Sequence, residues 1–215
     1  MKNAISLLTF LFLYILVFGQ DDKSKPLSEI GISVNRTLLE DQNTKNGNGF
    51  GIGLYKYILD NEKTNLTFGL EFNMTSQLIK SMYHGHSGHT TDVEFYFYWF
   101  SVPLTTKIYF GERVKFFVEP GIFIDIPIYS REKGTLHTYF LNDNNQIEYS
   151  ETEYDYKSNG ADFNYGLSLG LGIIIPISNV NLIIKPDYKL GLKPIGHSQE
   201  DIYNRYFRIT VGIRL

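Results

Sequence analysis

The stretch Tyr203 to Leu215 reads YNRYFRITVGIRL. Phe207, Ile209, Val211, Ile213 and Leu215 fall on one parity and Arg208, Thr210, Gly212 and Arg214 on the other, so an extended chain puts every aliphatic group on one face. This is the last strand of the sequence, and its backbone donors and acceptors still need partners. Pairing with the first strand, which closes a barrel, is the expected solution.

Working back from it, the same period recurs. Leu182, Ile184, Tyr188, Leu190 and Leu192 oppose Asn181, Lys185, Asp187, Lys189 and Gly191 over about Val180 to Ile195. Leu167, Leu169, Leu171, Ile173 and Ile175 oppose Gly166, Ser168, Gly170 and Gly172. Phe116, Val118, Ile122, Ile124, Ile126 and Ile128 oppose Lys115, Glu119, Gly121 and Asp125 over Val114 to Tyr129. In Val93 to Phe110, Tyr98, Phe100, Val102, Leu104, Thr106, Ile108 and Phe110 face one way and Trp99, Ser101, Pro103, Thr105 and Lys107 the other. Leu66 to Met74, Phe50 to Leu54 and Ile30 to Val34 complete a set of eight strands. Proline at 103, 120, 127, 176 and 186 is the objection, because a closed sheet has no free edge; bulges and strand ends are the expected places for it.

Connections alternate. They are long at Leu38 to Asn48, Lys80 to Asp92, Ser130 to Asp162 and Gly196 to Ile202, and short at Asp60 to Lys63, Gly111 to Arg113 and Ser178–Asn179. A membrane barrel with an outer rim of long loops and a periplasmic rim of short turns has this signature. The rival is a soluble barrel of the lipocalin kind, with the apolar face turned inward. Against it stand the glycine-rich polar rows that mix Lys, Asp, Glu and Arg, apolar rows as tall as a lipid-facing band, and the ring pairs Tyr109–Phe110 and Phe116–Phe117 flanking a short turn as an interfacial girdle. The fold class read from the sequence is all-β: an eight-stranded antiparallel up-and-down transmembrane β-barrel.

Composition agrees. In 215 residues there are 16 Tyr and 16 Phe, which favours strands and interfacial rings. There is no cysteine, so thiolate metal sites, disulfides and cysteine nucleophiles are excluded. A net charge of −3 with scattered basic residues does not suit nucleic acid. Lys2 followed by the apolar run Ala4 to Phe18 reads as a signal peptide over 1–19, leaving a barrel domain over 20–215. No later run is long enough for a spanning helix, so residence in the membrane has to come from strands.

The segments FSVPLTTKIYF (Phe100 to Phe110), VKFFVEPGIFIDIPI (Val114 to Ile128), FNYGLSLGLGIII (Phe163 to Ile175), LIIKPDYKLGLKPI (Leu182 to Ile195) and YFRITVGIRL (Tyr206 to Leu215) resemble the outer membrane β-barrel "porin family", PorT-like group. The resemblance runs through the whole mature chain in order. It departs at Ser101 and Val102, where members carry a carboxylate before the proline, and at Leu215, where the terminal residue is commonly aromatic. It implies an integral cell outer membrane protein. Functions in the family run from accessory of type IX secretion to unknown.

For function, the inward rows gather a lumen charge network of Glu71, Lys107, Lys115, Glu119, Asp125, Lys185, Asp187, Lys189, Arg208 and Arg214. An eight-stranded interior is only wide enough for side chains, so these charges are expected to pair as a plug. A narrow gated channel or transporter for ions or small solutes, opened when a lumen pair breaks, is the alternative. His84, His86 and His89 in HGHSGH are a candidate for metal, but no carboxylate is locked into the cluster; solvated loop histidines are the expectation, and no metal or cofactor is assigned. In the third long loop, Leu136 to Leu141 and Ile147 to Thr152 flank Asn142-Asp143-Asn144-Asn145 and read as a hairpin above the membrane. Its length and seven acids suggest a contact surface. No nucleophile is singled out, so no enzyme is expected. The expected role is structural or interactive through the outer loops, for a monomer among outer-membrane lipids with a protein partner outside, as an accessory of a secretion or envelope assembly.

Overall fold

The computed structural model describes residues 27–38, 43–85, 88–112, 114–141, 144, 146–158, 161–178, 180–195 and 203–215. The expected signal segment 1–19 lies outside them. Among the described residues ten strands form: β1 (Glu29–Thr37), β2 (Thr44–Asn46), β3 (Asn48–Asp60), β4 (Thr64–Tyr83), β5 (Gly88–Phe110), β6 (Lys115–Leu141), β7 (Ile147–Ser158), β8 (Asn164–Ile177), β9 (Val180–Pro194) and β10 (Tyr203–Arg214). Eight of them close a ring, β1-β3-β4-β5-β6-β8-β9-β10, every pair antiparallel, while β2 and β7 attach outside it to β4 and β6.

Closure falls where the last strand predicts it. β10 pairs β1 from Glu29↔Arg214 to Thr37↔Tyr206, with Gly31 opposite Gly212 at the seam. A Cβ on Gly212 would come 2.7 Å from the Ile30 carbonyl oxygen, so the seam is tighter there than a side chain tolerates.

The parity is that of a membrane barrel. Ile32, Val34, Ile52, Ile122, Ile124, Leu167, Leu169, Leu171, Ile209 and Val211 are exposed on the outside, and the polar rows are buried inside. A soluble barrel would reverse this, since aliphatic rows in water forgo the burial that drives folding.

Each interior proline turns its missing donor toward one neighbour. Pairing of β4 with β5 skips the rungs between Phe68↔Leu104 and Glu71↔Ser101, beside Pro103, while Pro103 pairs Phe123 on its other side. Pro120 and Pro186 do the same: each keeps a partner on one side, Leu169 and Ile209, where the ladder on the other side is interrupted. Pro127 stands at a register shift between Tyr98 and Trp99, and Pro176 one residue before the end of β8.

Three expectations need correcting. The segments Lys80 to Asp92 and Ser130 to Asp162 are mostly strand: β4 and β5 stay paired out to Tyr83↔His89, and the hairpin read at Leu136 to Leu141 and Ile147 to Thr152 extends down to Ser130↔Ser158, with β6 and β7 pairing without a shift. Thr, Ser and charged residues suit a strand that is wet on both faces, so this part lacks the apolar period that betrays the barrel. The first long connection also holds β2. Of the girdle rings at the short turn, Phe110 and Phe116 do face outward, but Tyr109 and Phe117 are buried inside, edge to face at 6.0 Å. Space for the Phe117 ring comes from Gly172 on β8, where a Cβ would overlap it.

Candidate functional site

The lumen is a stack of layers. Nearest the short turns, Tyr109, Phe117, Ile174 and Ile183 form an apolar plug. Asn65 on β4 donates to the Tyr109 hydroxyl at 2.9 Å.

Above the plug the charges begin. Lys107 on β5 makes a direct ion pair with Glu29 on β1 and approaches Glu119 on β6 at 3.9 Å. The Tyr57 hydroxyl donates to Glu29 at 2.9 Å, and Lys107 Nζ lies 5.2 Å from the ring centres of Tyr57 and Phe117. Lys185 on β9 donates to Glu119 Oε1 at 3.1 Å, and Thr105 donates to the same oxygen at 2.9 Å.

The next layer centres on Glu71. It accepts from Lys189 at 2.6 Å, Arg208 Nη1 at 2.7 Å, Tyr55 Oη at 2.8 Å and Asn73 Nδ2 at 3.0 Å. Arg208 Nε also donates to Asp187 at 3.0 Å, so one guanidinium ties two buried carboxylates together. Higher still, Asp125 accepts from three neutral donors: Ser101 Oγ, Asn204 Nδ2 at 2.9 Å and Asn164 Nδ2 at 3.3 Å.

A second plug closes the outer end. Trp99 donates through its indole to Thr75 at 3.1 Å and packs with Ile79, Val93, Phe95, Phe97 and Ile195. Phe95, Phe97 and Trp99 stack in sequence along β5. Between the plugs the void beside Glu71 and Lys185 is about 10 Å³, room for about one water.

Eight of the ten charges expected in the lumen, all but Lys115 and Arg214, are buried in this belt. Lys115 and Arg214 instead sit at the short-turn rim, each over a tyrosine face, at 5.7 Å from the Tyr109 ring centre and 4.9 Å from that of Tyr57. They help to line a mouth of about 130 Å³. Sequence reasoning missed Glu29, Tyr55 and Tyr57. Their signal was parity: Glu29 lies in phase with Gly31 and Ser33, and the tyrosines in phase with Gly51 and Gly53. It also missed the outer plug, because DVEFYFYWF from Asp92 to Phe100 is largely apolar on both parities.

Outside the belt, β4, β5, β6 and β7 continue as a wall beyond the long-loop rim. His89 is not a loop residue: it lies in β5 with its ring stacked on His137 of β6 at 4.6 Å. Tyr83 and Tyr149 extend this row at 6.0 Å from His89 and 5.9 Å from His137. His84 stands at the turn with Nε2 3.1 Å from the Thr90 hydroxyl, and His86 lies outside the described residues. Among the described residues, no three His, Asp or Glu side chains are grouped to hold a metal ion.

Nearer the membrane, Arg131 grips Asp155 through two bonds of 2.6 and 2.5 Å. Those bonds hold the Asp155 carboxyl below its ordinary range. Glu132 accepts from Tyr154 at 2.8 Å and Tyr156 at 3.0 Å, and burial, then this carboxylate, pushes the Tyr154 phenol up. Tyr98 and Tyr129, ring centres 5.3 Å apart, lie just below.

Residues 24–196 match the outer membrane protein β-barrel domain. The chain belongs to that family. It is therefore an integral protein of the outer membrane, with its long connections outside and its short turns in the periplasm. No curated protein matches the sequence. Among solved structures, Neisserial surface protein A is similar at TM-score 0.45 and 11% identity, over 87% of this chain and 95% of that one. Ail, the attachment invasion locus protein of Yersinia pestis, solved with the heparin analogue sucrose octasulfate, is similar at 0.38 and 14%, over 87% and 95%. The N-terminal barrel domain of Pseudomonas aeruginosa OprF is similar at 0.34 and 11%, over 88% and 98%.

Proposed function

We propose that this outer-membrane barrel has a structural or interaction role exercised through its extracellular wall, as an accessory of a secretion or envelope assembly. The observation that carries the reading is the contrast in filling: a lumen plugged at both ends around paired charges, under a wall of four strands that closure of the ring does not require. A conduit would have to open two apolar plugs and separate buried ion pairs, and breaking one such pair costs about 3–5 kcal/mol. The likeness of five segments to the PorT-like group, in order, supports the secretion or envelope setting. Residues 1–19 act in this reading as a signal peptide, and the mature chain is a monomer among outer-membrane lipids that meets a protein partner outside.

Two experiments test it. Purified, folded protein in planar bilayers is expected to give no discrete openings; regular openings would favour the gated-channel alternative. Crosslinking in intact cells, read out by mass spectrometry, is expected to join the wall to a specific envelope protein. Adducts confined to abundant neighbours, unchanged when the wall is shortened, would end the interaction reading.

A further inference from the structure

Among the described residues, β7 is the one strand of the wall with a long unpaired side. It pairs β6 over its full length, 12 residues without a register shift or proline, and pairs no other strand among the described residues. Its other edge is a row of backbone donors and acceptors roughly 40 Å long. Natural edges of this kind are usually shortened, bulged or broken by proline. This one has neither bulge nor proline and is held at both ends. Near the tip, the His137 ring nitrogen Nδ1 lies 2.5 Å from the Tyr149 hydroxyl; near the base, Arg131 grips Asp155 and Glu132 takes Tyr156. A pre-ordered edge has less entropy to lose on pairing than a loop.

Side chains select the occupant. Tyr149, Glu151, Glu153 and Asp155 share one face, opposite Tyr139, His137, Thr135 and Lys133 on β6, so three acids stand in succession at alternate positions. The other face carries Glu148, Ser150, Thr152, Tyr154 and Tyr156, with one acid among them, and Lys157 ends the acidic face at the base of the strand. A second copy of β7, laid antiparallel on the edge, would set this acidic row against itself, which destabilises a cross-strand pair. An extended segment with a cation at every second residue would face Glu151 and Glu153 directly. Glu153 is exposed and makes no ion pair or hydrogen bond with the described residues.

Resting on the interaction reading above, we infer that the free edge of β7 is a strand-addition site for an extended segment of a partner protein carrying Lys or Arg at alternate positions. Main-chain bonds supply the pairing and the acidic row supplies the register.

The test uses the mature protein folded in detergent and 12-residue synthetic peptides followed by fluorescence anisotropy. A peptide alternating Lys with Thr is expected to bind. The same composition with its lysines in one block, and one of the two peptides N-methylated at alternate amides, should bind about tenfold more weakly or worse. Glu153→Lys should weaken the alternating peptide by about tenfold while the heat-shifted gel mobility of the folded barrel is unchanged. Equal binding of alternating and blocked peptides, or indifference to both N-methylation patterns, would overturn the site in favour of diffuse charge attraction. A photo-crosslinker in intact cells separates this failure from that of the parent reading. Adducts at position 83 but none at 153 would remove the edge and leave an extracellular interaction, and silence at both would remove both. Adducts at 153 displaced by the alternating peptide support the site.

Discussion

Arg208–Asp187 in the lumen and Arg131–Asp155 on the wall are the same chemical pair in two settings. The lumen pair is 4% exposed on both sides; the wall pair is 42% and 40% exposed. In the belt water has been removed, so each charge depends on its protein partners, and losing one strands the others. On the wall water takes over whatever the pair gives up. The first arrangement makes a plug that resists change, the second a surface that tolerates it. That difference is why the interaction role is assigned to the wall and not to the lumen.

The most damaging substitution should be Arg208→Met, which leaves Glu71 and Asp187 without their shared guanidinium. It is expected to cost about 3–5 kcal/mol in urea unfolding from lipid vesicles. Trp99, the single tryptophan and fully buried, is the natural fluorescence reporter. A loss below 1 kcal/mol would mean that the belt is wetter than its packing. Next, Val211→Arg puts a cation at the centre of the lipid-facing row Phe207 to Leu215, where it finds neither partner nor water. About 2–4 kcal/mol should be lost if the position lies near the midplane. Tolerance of this change would undo the assignment of faces.

Gly172→Val should cost about 1–3 kcal/mol by forcing the Phe117 ring off its seat in the inner plug. The accompanying structural readout is the Tyr109–Phe117 contact, followed by NMR of the folded barrel. The smallest effect belongs to the wall. Asp155→Asn should leave the unfolding midpoint unchanged while amide exchange in β7 quickens. The pH dependence has the same sign. The Asp155 carboxyl is held below its ordinary value in the folded wall, so its contribution is present above the unfolded pKa, about 3.9, and is lost as pH falls through the lower folded value. Protection factors in β7, with intrinsic exchange divided out, that stay constant across that range would show that Arg131 does not hold the strand.

How much was legible follows from the same contrast. Each lipid-facing row is one unbroken parity, because acyl chains accept only apolar groups, and eight such rows with alternating connections specify a closed barrel. Glu119, Lys185 and Arg208 were readable for the same reason, as charges in phase with glycines, and Lys107 as a charge in phase with Ser101 and Thr105. Glu29 was readable too, had parity been followed one residue further down β1.

Beyond the hairpin tip of Leu136 to Leu141 and Ile147 to Thr152, the wall was not legible as strands, because a sheet wet on both faces has no preferred parity; its Thr, Tyr and acidic residues resemble those of a loop. What the amino-acid order determined by itself was therefore the barrel, its orientation and the inward charges, all consequences of a solvent that discriminates between faces. Which carboxylate meets which cation, the burial of Tyr109 and Phe117, the stacking of His89 on His137 and the open edge of β7 were decided only by the tertiary structure. Those contacts join residues far apart in the chain, and shear and bulges, not local period, set the heights at which they meet.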